Sequence, residues 1–443
     1  MEYNQLLKKK VGFISLGCDK NRVDLEKIIE NLRQNGFDIV PVDDANIVII
    51  NTCSFIQDAR KESIDAILNT ALLKYVNVEK IIVTGCLNNM NYNDLSTSMP
   101  EVDAWVKPEN NTEIIPVIAS LYGVAKLPKT NLCNTDRFLS TPSHFAYLKI
   151  ADGCNNFCSY CTIPYIRGRY RSTPIEDLII EAKKLTDNGV KEIILVAQDV
   201  TKYGDDLYGK PSLVKLLREL SKLEKLEKIR LLYCYPDLIS DELINEMAVN
   251  NKISKYIDMP LQHIDNDILR AMNRRTSKEQ ICEIIKKLRS LMPDIKIRTT
   301  FIIGFPGETD ANFENLCNFV KEYKLDYVGF FKYSREEGTR AYSFANQVPQ
   351  SIKNKRLRTL SSIQYEIVKD KNQAMIGKIV NCVIDQISDD YLICRPDNCP
   401  NVDNVVFVKN TKRYTIASTV NVLITKTKKY DLIGEIKWIY QIK

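Results

Sequence analysis

The stretch Ala151-Asp152-Gly153-Cys154-Asn155-Asn156-Phe157-Cys158-Ser159-Tyr160-Cys161 carries three thiols, with three and then two residues between them. It follows an apolar run at 145–150 that has the length of a buried strand. Thiolates are soft ligands, and spacings this close suit zinc or an iron–sulfur cluster. A structural zinc site wants a fourth ligand nearby. The next cysteine is Cys234, and neither His lies in the loop. Three thiolates on a four-iron cluster leave one iron free to bind something else. A degenerate zinc loop, or three unrelated thiols, is the competing reading.

Outward from this loop the chain alternates short apolar runs with helical patterns. Strands are expected at 145–150, 192–197, 229–232, 256–259, 296–303 and 327–331, and helices include 175–188, 213–223, 278–291 and 311–321. Six successive strand–helix units predict an incomplete (β/α) barrel, whose active site belongs at the C-terminal ends of the strands. The three-thiol loop follows the first strand, where such a site would lie.

Upstream, apolar runs at 11–16, 46–50 and 80–84 alternate with helical patterns, which implies a parallel sheet with helices on its faces. Ligands collect at the carboxyl ends of such strands. These three end at Cys18, Cys53 and Cys86, which are 35 and 33 residues apart, about one strand–helix unit each. Together they form a second incomplete ligand set; buried structural cysteines are the alternative. A polar passage at 127–143 reads as a linker, with Cys133 a plain loop thiol. From about residue 371 short strand-like runs dominate, at 379–384, 391–394, 405–408, 419–425 and 432–438, the pattern of a small antiparallel β-barrel. Residues 369–443 hold 12 Lys/Arg against 8 Asp/Glu, so its surface is mildly basic. Cys382, Cys394 and Cys399 lack paired spacing and read as apolar filler rather than a zinc site. The expected organisation is α/β: an N-terminal parallel-sheet domain at 9–126, a central partial (β/α) barrel at 140–370 and the small barrel at 371–441.

At 443 residues and 44% hydrophobic content the chain can bury several cores. Its 13 cysteines are widely spaced and odd in number, unlike a secreted disulfide scaffold, and fit ligands plus buried small apolar residues. No apolar run approaches membrane-spanning length, and the N-terminal residues lack an apolar signal region. A cytoplasmic protein is expected. A net charge of +6 is too mild to declare a nucleic-acid binder.

The two thiol trios and the terminal barrel together resemble the radical S-adenosylmethionine (SAM) methylthiotransferases over essentially the whole chain, the last unit being of the kind called TRAM. Within that family, Ser15-Leu16-Gly17-Cys18-Asp19-Lys20-Asn21-Arg22-Val23-Asp24 resembles the RimO-like branch, which favours Gly-Cys-Pro-Lys-Asn over the Gly-Cys-Gln-Met-Asn of the tRNA branch. Asn51-Thr52-Cys53-Ser54-Phe55-Ile56, Glu62-Ser63-Ile64, the run from Leu195 to Gly204 and Met259-Pro260-Leu261-Gln262-His263 fit the same branch. Asp19 in place of Pro and Thr173 in place of a basic residue depart from it.

The resemblance implies two 4Fe–4S clusters, one on Cys154, Cys158 and Cys161, the other on Cys18, Cys53 and Cys86. The first would cleave SAM reductively to a deoxyadenosyl radical; the second, with auxiliary sulfur, would take part in delivering the methylthio group. Tyr160 could stack near the adenine. Gln198 and Arg298, near strand ends, and Gly304 and Gly307, in the turn Ile303-Gly304-Phe305-Pro306-Gly307-Glu308-Thr309, are further SAM-side candidates. No catalytic side chain beyond the cluster ligands is singled out. The implied substrate is the β-carbon of an aspartate in a loop of the twelfth protein of the small ribosomal subunit. A reducing electron donor is needed, and the mildly basic barrel leaves room for RNA contact. A modified adenosine in tRNA is the alternative substrate, and an iron–sulfur RNA-binding or redox-sensing protein the non-enzymatic one. His263 reads as a structural histidine, the basic run 167–171 as a solvated loop, and the basic helical run 353–358 as a solvated face.

Overall fold

Val11–Ser15, Ile47–Thr52 and Lys80–Gly85 lie side by side as a parallel sheet in the computed structural model, with Ala104–Trp105 added at one edge. The structure describes residues 2–89, 95–127, 136–400, 402–411 and 413–437; Cys133 and Trp438 lie outside them. Successive strand residues point to opposite faces, and both faces are covered. Ile47 and Ile49 meet Leu25, Ile28 and Leu32 of helix Asp19–Gln34 on one side. Val48 and Ile50 meet Ile67 of helix Gln57–Leu72 on the other. Because both faces are buried, the strands read as continuous apolar runs rather than alternating ones.

All six strands expected in the centre form, as one open parallel sheet whose spatial order follows the chain from Phe145–Lys149 to Tyr327–Lys332. That is an incomplete barrel. Its outer face packs on helices such as Ile175–Asp187, Leu213–Ser221 and Lys278–Leu291. Its concave face is lined by Phe145, Tyr147, Ile194, Val196, Leu232 and Tyr256, and Val23 of the N-terminal domain is buried among them. Helix Asp19–Gln34 of the N-terminal domain thus packs against the inner face of this sheet. Ion pairs hold the domain there: Arg137 to Glu26 and Glu181, and Arg60 to Glu336.

The basic run at 353–358 lies on a long helix, Gln350–Gln373; its expected solvated face holds for Lys355 and Arg358, which are exposed, and is corrected for two residues. Lys353 and Arg356 are buried. Arg356 donates to Glu308 Oε1 (2.6 Å) and Asp310 Oδ1 (2.7 Å), and the Lys353 ammonium to Tyr333 O (2.9 Å). Their acceptors come from segments 20 to 48 residues away along the chain, which helical periodicity cannot register.

The last five strands close into a barrel. Its pairings are antiparallel except for Val406–Lys409 beside Asp431–Ile436. Cys382 and Cys394 fill its core, and Cys399 is buried beside it with Sγ 2.9 Å from Tyr327 Oη. A buried charge network fastens this barrel to the central domain. Arg395 donates to Asp385 and Glu192, Glu192 also accepts from Arg230, and His144 Nε2 lies 2.7 Å from Asp385. Among the described residues no helix is long and apolar enough to cross a membrane.

Candidate active site

Cys18, Cys53 and Cys86 meet at the carboxyl edge of the N-terminal sheet. Gly17 sits at φ +92°, and a Cβ there would fall 3.3 Å from Cys53 Sγ, so this position needs glycine both for its backbone and for the approach of the neighbouring thiol. Asn21 laces the strand ends together: its amide donates to Leu16 O and Thr52 O, and its backbone carbonyl accepts from Asn51. Ser63 holds the Cys53 loop by accepting from Cys53 N (3.0 Å) and donating to Cys53 O (2.7 Å). Burial raises the Cys53 thiol pKa, and the charge of Cys18 adds to it. Cys86 is pushed up to about 11 by burial, with Arg167 opposing and Cys18 and Cys53 adding. The three sulfurs thus lie within one another's field.

Cys154, Cys158 and Cys161 occupy a loop pinned on both sides. Gly153 has φ +76°, and a Cβ there would lie 2.1 Å from Arg169 O. Cys154 N donates to Gly168 O, Ser159 is tied to Met272 O and Ala271 O, and the Asn273 amide donates to Asn156 O and Phe157 O. Burial pushes Cys154 up to about 11 and raises Cys161 further. The Arg274 guanidinium lies 3.6 Å over the Tyr235 ring, and Tyr235 Oη is 3.9 Å from Cys158 Sγ.

One side chain links the two thiol loops. Arg167, six residues beyond Cys161, crosses to the N-terminal domain, where Nε donates to Cys86 Sγ (3.4 Å), Nη1 to Asp24 (2.8 Å) and Asp152 (3.2 Å), and Nη2 to Asn21 Oδ1. The run 167–171 is therefore not a solvated loop at its first residue, which is buried. Burial disfavours charge on Asp152, but Lys149 and Arg167 outweigh it and hold its carboxyl well below the usual range. Lys20, two residues after Cys18, lies with its ammonium 3.4 Å over the Tyr233 ring at the barrel mouth.

Gln198 joins this centre by donating to Asp152 Oδ1 (3.0 Å). Tyr160 packs, partly buried, with Ile268, Met272, Phe305 and Tyr333, within the field of Cys158 and Cys161. Arg298 pairs in register with Asp258, and its Nε lies 3.6 Å from Asp403, which comes from the C-terminal region. At Gly304 the added Cβ would meet the Lys353 stem at 2.4 Å; the close approach there is to this chain's own side chain. Gly307 is exposed and has open space beside it. His263 is fully buried, with Nδ1 accepting from Asp265 N, the structural role expected. Arg167 and Asn21 are the residues of this centre that spacing did not isolate; no periodicity marks an Arg with acceptors in another domain.

Among the described residues no three His, Cys, Asp or Glu side chains converge as a single-ion site. A multi-iron cluster spreads its thiolates wider than one tetrahedral ion does, and the donor chemistry here is thiol throughout. Buried thiols with raised pKa release their protons to the metal that binds them. The residues present fit iron–sulfur clusters.

Residues 148–320 match the Radical SAM superfamily, residues 10–107 the Uncharacterized protein family UPF0004, and residues 376–436 the TRAM domain. Fold and thiol loop together define a radical SAM protein. Relatives named ribosomal protein uS12 methylthiotransferase RimO match the chain over nearly its whole length. That of Thermoanaerobacter sp. (strain X514) is 46% identical, covering 96% of this chain and 100% of the relative. Those of Acetivibrio thermocellus and Clostridium tetani are 45% and 42% identical, each covering 97% of this chain and 99% and 98% of the relative. The chain belongs to the RimO methylthiotransferase family. In fold it is similar to the radical SAM methyltransferase TsrM from Kitasatospora setae (TM-score 0.57, 13% identity, 75% of this chain and 77% of that one). It is also similar to the cobalamin-dependent radical SAM enzyme OxsB (TM-score 0.52, 13% identity, 81% and 57%).

Proposed function

We propose that this chain adds a methylthio group to the β-carbon of an aspartate in the small-subunit ribosomal protein uS12, in the cytoplasm. The observation that supports the reading is the Arg167 guanidinium, which joins Cys86 of one thiol trio to Asp152, two residues before the other, across two domains. Cys154, Cys158 and Cys161 would hold one 4Fe–4S cluster, with SAM on its free iron, and Cys18, Cys53 and Cys86 the second. Gln198 and Tyr160 would line the SAM side. Arg298, Gly304 and Gly307 are weaker candidates for that role: the first is engaged with Asp258 and Asp403, the second sealed by Lys353 and the third exposed. The working units are 9–126, 140–370 and 371–441, the last contacting the ribosomal substrate and its RNA.

The target C–H bond is not acidic, so a side-chain base offers little. Clusters and SAM, when bound with a reducing electron donor, supply the one-electron chemistry and the sulfur and methyl groups that no side chain carries. The chain's own task is placement and exclusion of water. Val23, Tyr147, Ile194 and Tyr256 make the barrel interior apolar, Asn21 and Ser63 fix the first thiol trio, and Asn273 and Gly153 shape the second. Mass spectrometry of uS12 and of digested tRNA, from cells with and without this gene, tests the reading. A methylthio mass is expected to vanish from uS12; its loss from a tRNA nucleoside alone overturns the assignment.

A further inference from the structure

Arg167 belongs to the radical SAM domain by sequence yet directs its guanidinium into the other domain. Its side chain is buried, and no water is needed to account for its bonds: two carboxylates, Asp24 and Asp152, neutralise it, Asn21 accepts, and Nε–H remains for Cys86 Sγ at 3.4 Å. Two carboxylates around one guanidinium would suffice as a plain structural brace. The bond to sulfur is the part a brace does not require. Asp24 is also bound by Lys149, and Asp152 by Lys149 and Gln198, so the head group is oriented from several sides and Nε is presented to the thiol in a fixed direction.

Hydrogen bonds and positive charge on a ligating sulfur stabilise the reduced state of an iron–sulfur cluster, because reduction adds negative charge that the donor meets. A buried donor acts in a low dielectric, where its effect is largest. We infer that Arg167 is a positioning residue that raises the reduction potential of a cluster on Cys18, Cys53 and Cys86 through its bond to Cys86, while holding that trio against the loop of the other. Both functions rest on one side chain because its arms reach Asn21, two residues from Asp19 and the Cys18 loop, and Asp152, two residues before Cys154. The inference rests on the reading that this trio carries a cluster.

The experiment uses the full chain, anaerobically reconstituted, with Arg167→Met and Arg167→Lys beside wild type. Iron content is counted first. Wild type with only one cluster's iron defeats the cluster reading itself, independently of Arg167. With both clusters present, the midpoint potential of the N-terminal cluster is followed by EPR during a dithionite titration, in a Cys154/Cys158/Cys161→Ala background that removes the other signal. Arg167→Met is expected to move the midpoint negative by at least a tenfold change in the one-electron equilibrium, 59 mV, and Arg167→Lys by less, since it keeps charge without the Nε–H. An unmoved potential in a loaded Arg167→Met protein overturns the inference. Arg167→Met removes a partner from Asp24 and Asp152 and is expected to lower stability whatever its role. If it loses the N-terminal cluster, the loaded Arg167→Lys protein decides: a midpoint moved negative supports the positioning role, and an unmoved one reduces Arg167 to a brace and overturns it.

Discussion

A single hydroxyl decides the shape of the Cys53 loop. Ser63 satisfies both backbone groups of Cys53, and an unpaired buried backbone group costs about 1–3 kcal/mol. Ser63→Ala is expected to lower unfolding stability by about that amount and to reduce iron at the N-terminal trio, as read by urea unfolding and iron counting. Gly153→Ala strikes the other loop, since φ +76° and the Arg169 carbonyl leave no room for a Cβ. Strain of this kind costs on the order of 1–3 kcal/mol, and iron is expected to fall by the share of one cluster while the N-terminal trio stays loaded; an unchanged iron count would contradict it. The cysteines themselves were legible because their spacing is local. Ser63 and Asn21 stood inside recognisable motifs, but their roles were not, because each acts on backbone from another segment of the chain.

At the level of elements, strands and helices of the centre follow from apolar periodicity, and Lys296–Ile303 and Lys278–Leu291 have the bounds the pattern predicts. Helix Gln350–Gln373 shows where periodicity stops informing. A row of Lys and Arg on a helix looks the same whether its heads reach water or a buried carboxylate. Here Arg356 reaches Glu308, whose side chain is fully buried. Removing one partner of a buried ion pair costs about 3–5 kcal/mol because it strands the other charge. Arg356→Met is therefore expected to destabilise the chain by about that much in chemical unfolding. A change as small as a surface substitution gives, below about 0.5 kcal/mol, would return the helix to the solvated reading.

For the molecule as a whole, the terminal barrel is held by buried charge rather than by apolar contact alone. At Glu192 burial opposes the charged form, but Arg230 and Arg395 outweigh it and lower its pKa to about 2. A folded-state pKa below the unfolded value of 4.5 means this stability is fully present above pH 4.5 and is lost as pH falls from there toward 2. Calorimetry from pH 7 to 3 is expected to show the unfolding temperature dropping across that window. Glu192→Gln at neutral pH strands the Arg230 guanidinium and leaves Arg395 only Asp385, and is expected to cost about 3–5 kcal/mol; wild-type stability in that variant would show that other contacts carry the docking.

The sequence by itself determined the three units, the two thiol trios and the family, because strand runs, Cys spacings and motif wording are properties of neighbours along the chain. Only the tertiary structure decided that Arg167 reaches both Cys86 and Asp152 and that Val23 packs against the inner face of the barrel sheet. Those facts depend on which distant groups are left to neutralise a buried charge or cover an apolar face, and that is settled when the domains pack.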